Sequence, residues 1–201
     1  MRKRLNLFAI LFLFSITGFS QSDFVDDVLT FQNDLNKHYS DSVTSPLTID
    51  DRKVFTGLDF FPPDKYFRIE AALIKKFNPL IVTLKTTTDR APRYILYAEA
   101  MFVIEGKKFH LNVYKSELTE EGEKEYAFIP FTDLSNGVTT YTGGRYIEVD
   151  ITGIDSIIID FNKAYNPYCA YNHKYSCVVP PSENFIDFEI NAGVKKGILK
   201  K

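Results

Sequence analysis

Residues 94–113 read YILYAEAMFVIEGKKFHLNV. Tyr94 to Ile104 is apolar on both faces, the signature of a central strand covered on two sides. Glu105-Gly106-Lys107 then offers a turn, and Phe109, Leu111 and Val113 alternate with His110 and Asn112. A two-sided strand, a tight turn and a one-sided strand make an antiparallel hairpin.

The same alternation spreads in both directions. Upstream, Phe67, Ile69, Ala71 and Leu73 alternate with Arg68, Glu70 and Ala72, and residues 80–87 are rich in β-branched types, with Asn78-Pro79 between the two runs. Phe60-Phe61-Pro62-Pro63-Asp64 reads as a turn, and residues 48–58 as a mixed segment with a helical turn closed by Gly57. Downstream, a charged loop over 117–125 leads to a strand over 126–131. Asn136-Gly137 is a type I′ hairpin signal, because that turn needs positive φ at both central residues. Strands follow over 145–151, over 156–161 after a turn at Gly153, and over 185–190. Near the other end, Ser22 and Asp23 are helix caps, and Phe24, Val28, Phe31 and Leu35 form one apolar stripe of a helix running to about His38. The chain is therefore expected to be mainly β, with eight or nine strands in an antiparallel β-sandwich or barrel-like meander and an N-terminal amphipathic helix. The organisation predicted is a helix over 21–42, one all-β domain over 43–194 and a basic tail over 195–201.

Length and charge fit this frame. The chain has 201 residues, 45% hydrophobic and 25% charged, with a net charge of −2, enough for one domain with a substantial core. Arg2, Lys3 and Arg4 precede an apolar run over 5–14 and small residues at 15, 17, 18 and 20. This reads as a signal peptide over 1–20 cleaved near Ser20, since the apolar run is shorter than the roughly 18–20 residues of a spanning helix. Without those three cations, 21 of the 24 basic side chains face 26 acidic ones, a net charge of −5. The expected product is secreted or periplasmic, without a transmembrane segment. Its acidity argues against nucleic acid as a partner.

Residues 160–184 break the strand rhythm. They hold four Tyr, four Asn and both cysteines of the chain, and a long irregular loop in a compact domain is usually functional or cross-linked. Gly143-Gly144-Arg145-Tyr146, then Asp160-Phe161-Asn162-x-Ala164-Tyr165-Asn166-Pro167-x-Cys169-Ala170-Tyr171, then Cys177-x-x-Pro180-Pro181-x-x-Asn184 form one extended pattern. With Gly57-Leu58-x-Phe60-Phe61-Pro62, Arg93-Tyr94 and Pro130-Phe131-x-Asp133, it closely resembles the bacterial domain of unknown function 1684 family, over roughly residues 45–193. The chain departs from the family pattern at Val178, where Pro is frequent, and at Val194, where Glu is frequent. The resemblance implies no particular reaction.

Three states are open to Cys169 and Cys177. A disulfide is the default for an exported chain and stabilises by ~2.5 kcal/mol for so short a loop. Two buried thiols are the second, and a Cys169-x3-His173-x3-Cys177 metal site the third, though its spacing matches no common zinc pattern. No metal or cofactor is expected, because the chain has no nucleophile elbow and no Gly-rich phosphate loop. Arg145 shares its strand parity with Ile147 and Val149, so it points inward and needs a carboxylate such as Asp160 or Asp133. One reading makes that a structural ion pair. The other makes it a ligand anchor beside Tyr141, Tyr146, Tyr165 and Tyr171, with Arg93, Asn162, Asn166 and Asn184 adding polar contacts. Tyrosine rings combine apolar faces with hydroxyls, so the expected function is a non-catalytic binding module for a small polar or glycan-like ligand. The alternatives are a hydrolase using Asp160 and Arg145, and a structural envelope protein whose loop is only a cap, without a sizeable pocket beside Tyr165.

Overall fold

The computed structural model describes residues 19–117, 126–151 and 155–196. Two helices, α1 (Phe19–Ser40) and α2 (Ile49–Lys53), precede β1 (Arg68–Thr83), β2 (Arg93–Ile104), β3 (Lys107–Ser116), β4 (Tyr126–Asp133), β5 (Arg145–Asp150), β6 (Ser156–Asp160) and the two-residue β7 (Phe185–Ile186). The sheet runs β5-β4-β3-β2-β1-β6 with antiparallel neighbours, and β7 lies parallel to β4. The ends β5 and β6 also touch, so the sheet curls into a nearly closed barrel. Of the two expected architectures, the chain adopts the barrel. The leader expected over 1–20 lies almost wholly outside the described residues, as do 118–125 of the charged loop, the Gly153 turn and the last five residues of the tail.

Alternation builds the core. Ala98, Ala100, Phe102 and Ile104 of β2, Leu111 and Val113 of β3, Ile129 and Phe131 of β4, Ile147 and Val149 of β5 and Ile159 of β6 all point inward and are buried. Phe102 pairs with Phe109 across the central hairpin, with their rings stacked 5.8 Å apart. Phe161 closes one end of the barrel, 5.3 Å from Phe131. Each of these side chains larger than alanine contributes about 1.5–3 kcal/mol on burial.

The turn between β2 and β3 has positive φ at both Glu105 (49°) and Gly106 (76°), as a type I′ hairpin requires. At Asn136-Gly137 only the glycine has positive φ (80°). There the Asn136 carboxamide instead accepts from Asp133 N–H (2.7 Å) and donates to Tyr141 O (3.0 Å), organising a longer connection between β4 and β5. The break expected at Asn78-Pro79 is a register shift inside one long strand, between Lys75 and Leu80, since proline removes a ladder donor without ending the strand. The strand expected over 185–190 stops at Ile186, because the chain beyond is held otherwise: Phe188 O accepts from Leu134 N–H, and Ile190 N–H donates to Asp133 (3.2 Å). The first correction merges two expected strands into one and brings the count to seven, and the second shortens the last of them.

Helix α1 buries Phe24, Val28, Gln32 and Tyr39; of the stripe the spacing predicts, Phe24 and Val28 are buried while Phe31 and Leu35 are half-buried. Asp27 ties it to the barrel through Arg68 (3.0 Å) and Lys163 (2.8 Å). Tyr39 is fully buried, edge-on to Tyr171 at 5.1 Å. No helix among the described residues is long and apolar enough to cross a membrane.

Candidate functional site

Parity sends Tyr114 of β3, Phe128 of β4 and Tyr146 and Glu148 of β5 to the outside of the barrel, and the register shift between Leu96 and Ala98 turns Tyr94 and Leu96 of β2 out with them. Leu96 pairs with Tyr114, Tyr114 with Phe128, and Phe128 with Glu148, one continuous row across four strands. The 160–184 loop lies over this row. Tyr165 and Tyr146 exchange both backbone hydrogen bonds (2.9 and 3.0 Å), and Val178 packs on the same aromatic cluster. The tyrosine-rich loop and the outward row thus form a second, smaller core on the outer face of the sheet.

Between them a cleft of about 340 Å³ stays open, lined by Arg90, Tyr94, Phe128, Tyr146, Glu148, Tyr165, Pro167, Tyr168 and residues 176–178. Tyr94 stacks on Phe128 at 5.7 Å, and Phe128 meets Tyr146 edge-on at 4.8 Å. Tyr146 in turn meets Tyr165 edge-on at 5.9 Å. Burial raises the phenol pKa of Tyr94, Tyr146, Tyr165 and Tyr168, so all four hydroxyls are neutral at physiological pH. Two charges flank the rings. Glu148, exposed on β5, accepts from the Tyr165 hydroxyl (2.9 Å). Arg90, from the β1–β2 connection, donates to Ser176 O (2.6 Å) and to its hydroxyl (3.1 Å). His38 meets the Tyr168 hydroxyl (2.9 Å), which links the cleft wall to α1.

The loop is fixed by side chains that mimic backbone. Asn162 accepts from Asp64 N–H and donates to Asp64 O, both at 2.8 Å. Asn184 does the same to Asn112 (2.7 and 3.0 Å) and also donates to Pro130 O (2.7 Å), filling the gap where β3 and β4 diverge. Asn166 donates to the Tyr171 hydroxyl (3.0 Å) beneath α1. Asp160 is nearly buried, accepting from Arg68 (2.7 Å) and from Asn162 N–H (3.1 Å). Arg145 is fully buried, paired with Asp133 at 2.9 Å, and donates to Ile190 O (2.8 Å) and Ala192 O. Burial pushes the pKa of its guanidinium down, and Asp133 opposes that.

Of the ten ligand-binding residues expected from sequence, the structure brings only Tyr146 and Tyr165 into the cleft. Arg145, Asp160, Asn162, Asn166 and Asn184 are buried in the clamps above, away from the cleft lining, and Tyr171 packs against Tyr39. Arg93 is exposed and pairs with Glu117 (3.2 Å). Tyr141 stands near Cys169, and burial followed by the neighbouring thiol raises its phenol pKa. Arg145 and Asp160, the hydrolase pair, have different partners and do not meet. Sequence reading missed Arg90, Tyr94, Phe128, Glu148, Tyr168 and Ser176. Strand parity with Tyr146 marks Glu148 as outward, but nothing in the sequence marks Arg90 or Ser176.

Cys169 and Cys177 are free and buried, so the expected disulfide is not formed here. They are nonetheless adjacent: Cys169 N–H donates to Cys177 Sγ (3.1 Å). His173 is exposed. Among the described residues no group of three or more His, Cys, Asp and Glu is placed to hold a metal ion.

The family model described as "Protein of unknown function (DUF1684)" matches residues 53–195. Among solved structures, the chain is similar to the solution NMR structure of an uncharacterized protein from gene locus rrnAC0354 of Haloarcula marismortui. The identity is 32%, with 87% of this chain and 95% of that one covered, at a TM-score of 0.70. A search of curated proteins returned no match.

Proposed function

The chain belongs to the DUF1684 family, and since that description carries no activity, we propose from geometry that it is a binding module for a small polar, saccharide-like ligand held in the aromatic cleft. The observation that carries this is the open volume of about 340 Å³ beside Tyr165, walled by five aromatic rings and rimmed by Glu148 and Arg90. Ligand sites are concave, mostly apolar, and supplied with a few convergent polar groups. Aromatic faces take the C–H surfaces of a sugar. Neutral phenols, the Glu148 carboxylate and the Ser176 hydroxyl take its hydroxyls. A loop serving only as a cap has no reason to leave such a volume open.

Export belongs to the same proposal, resting on the leader-like residues 1–20. N-terminal sequencing of the product expressed in a bacterial host tests it: a new terminus near Gln21 supports export, and an intact terminus opposes it. For binding, a thermal-shift panel of neutral mono- and disaccharides is the test. At least one is expected to stabilise the native chain, with affinity weakened about tenfold or more by Tyr94→Ala and by Glu148→Gln. No stabilising compound, or stabilisation indifferent to both substitutions, opposes the reading.

A further inference from the structure

The two cysteines sit at the ends of one cleft wall. Cys177 lines the cleft between Ser176 and Val178, and Cys169 lies one residue beyond Tyr168, another lining residue. The Cys177 backbone is held on a short rail: its carbonyl accepts from Thr87 N–H (2.8 Å), and its N–H donates to the Thr87 hydroxyl (3.1 Å). Val179 N–H continues the rail to Lys85 O (2.8 Å). On the other side, Cys169 is fixed in a 3-10 turn over Tyr168–Ala170. Two rigid backbones thus hold the two cysteines side by side at the cleft wall, with Cys169 N–H donating to Cys177 Sγ (3.1 Å).

We propose that Cys169 and Cys177 are a thiol–disulfide exchange site, entered through the aromatic cleft, whose co-substrate is a low-molecular-weight disulfide. Cys169, the more readily ionised of the two thiols, gives its proton to solvent and attacks one sulfur of the entering disulfide. A mixed disulfide forms on Cys169, and the first half of the reagent leaves as a thiolate, which takes up a proton. Cys177, deprotonated in turn, attacks the Cys169 sulfur and expels the second half, which is protonated likewise. The balance is two protein thiols and one small disulfide giving one protein disulfide and two small thiols. The environment suits Cys169 to the attacking step. Cys177 beside it, with Thr87 and Tyr141, outweighs the upward pull of burial and brings its pKa down to about 7, while Cys169 and burial hold the Cys177 thiol up. Closing the bond joins the Tyr168 and Ser176 sides of the cleft wall, so redox state also sets how freely that wall moves. This differs from an inert cross-link in being reversible, and it stands whether or not the cleft binds a sugar.

The test is equilibration of the full chain with glutathione buffers of graded ratio, quenched by alkylation and read by intact mass. The expected result is reversible interconversion of dithiol and disulfide inside the glutathione range. Cys177→Ser should trap one glutathione on Cys169, and Cys169→Ser should take it up at Cys177 at least about tenfold more slowly. Tyr141→Phe, which keeps both sulfurs, should slow uptake severalfold. A pair that stays oxidised at every ratio, or stays reduced while the unfolded chain oxidises, overturns the proposal. Equal uptake by the two serine variants, or no slowing in Tyr141→Phe, contradicts the assigned roles of attack and resolution.

Discussion

Arg145 is a full charge with no exposure, and it is tolerable only because Asp133 faces it inside the barrel. Asp133 in turn accepts from Ser135 N–H (2.8 Å) and Ile190 N–H, so one buried pair pins the C-terminal segment to β4 and β5. Removing one member leaves an uncompensated buried charge. Asp133→Ala is therefore expected to lose about 3–5 kcal/mol in urea denaturation, while a double replacement of Asp133 and Arg145 by apolar residues loses less than either single change. A double variant as unstable as the sum of the singles contradicts this. Two glycines make a second comparison. Gly106 (φ +76°) has open space where a Cβ would stand, whereas Gly193 (φ +77°) has the carbonyls of Phe161 and Ala164 there. Gly106→Ala is expected to cost about 1 kcal/mol and Gly193→Ala roughly 3 kcal/mol or more. Equal losses would mean the approach to Phe161 and Ala164 relaxes freely.

At the scale of elements, α1 is fastened by its aromatic stripe and by one carboxylate. Burial tends to raise the pKa of Asp27, but the ammonium of Lys163 and the guanidinium of Arg68 outweigh it and hold the carboxyl below its ordinary value. A folded-state pKa below the unfolded one, about 3.9, contributes stability that is complete above that value and is lost as pH falls through the folded one. Thermal melts from pH 7 down to pH 3 should therefore show Asp27→Asn melting about 1–3 °C below the native chain at pH 7, the difference shrinking in acid. A constant difference would assign the loss to packing. The elements were largely legible because period-2 alternation is a burial signal and β1 to β6 obey it. Misreadings arose where chemistry overrode period. Pro79 looks like a boundary and is a bulge. Asn136-Gly137 looks like a hairpin turn and is a capping device. The 185–190 run alternates, but its later residues bond to Asp133 and Leu134 instead of to a strand.

For the whole molecule, the residues most distinctive in the sequence mark the fold more than the site. Asn162, Asn184 and Asp160 stand out because the 160–184 loop must be tied down at each of them, and Arg145 because it holds the segment that follows; tying down occupies the polar atoms a ligand would need. The departures Val178 and Val194 are likewise buried apolar positions here. The cleft is the space left between the clamped loop and an outward row of rings on β2, β4 and β5. Its residues are spread from Arg90 to Val178, and no local pattern brings them together before the barrel closes. The most direct measurement is an amide NMR titration of the isotopically labelled full chain with the neutral mono- and disaccharides, each to about 10 mM, since millimolar affinity is within reach of a small open site. The account predicts saturable shifts at Arg90, Tyr94, Phe128, Glu148, Tyr165, Tyr168 and Ser176. A second groove lies between Asn33, Asn36, Lys37 and Ser40 of α1 and residues 55–57; shifts confined to it, or no saturable shift with any saccharide, would contradict the account.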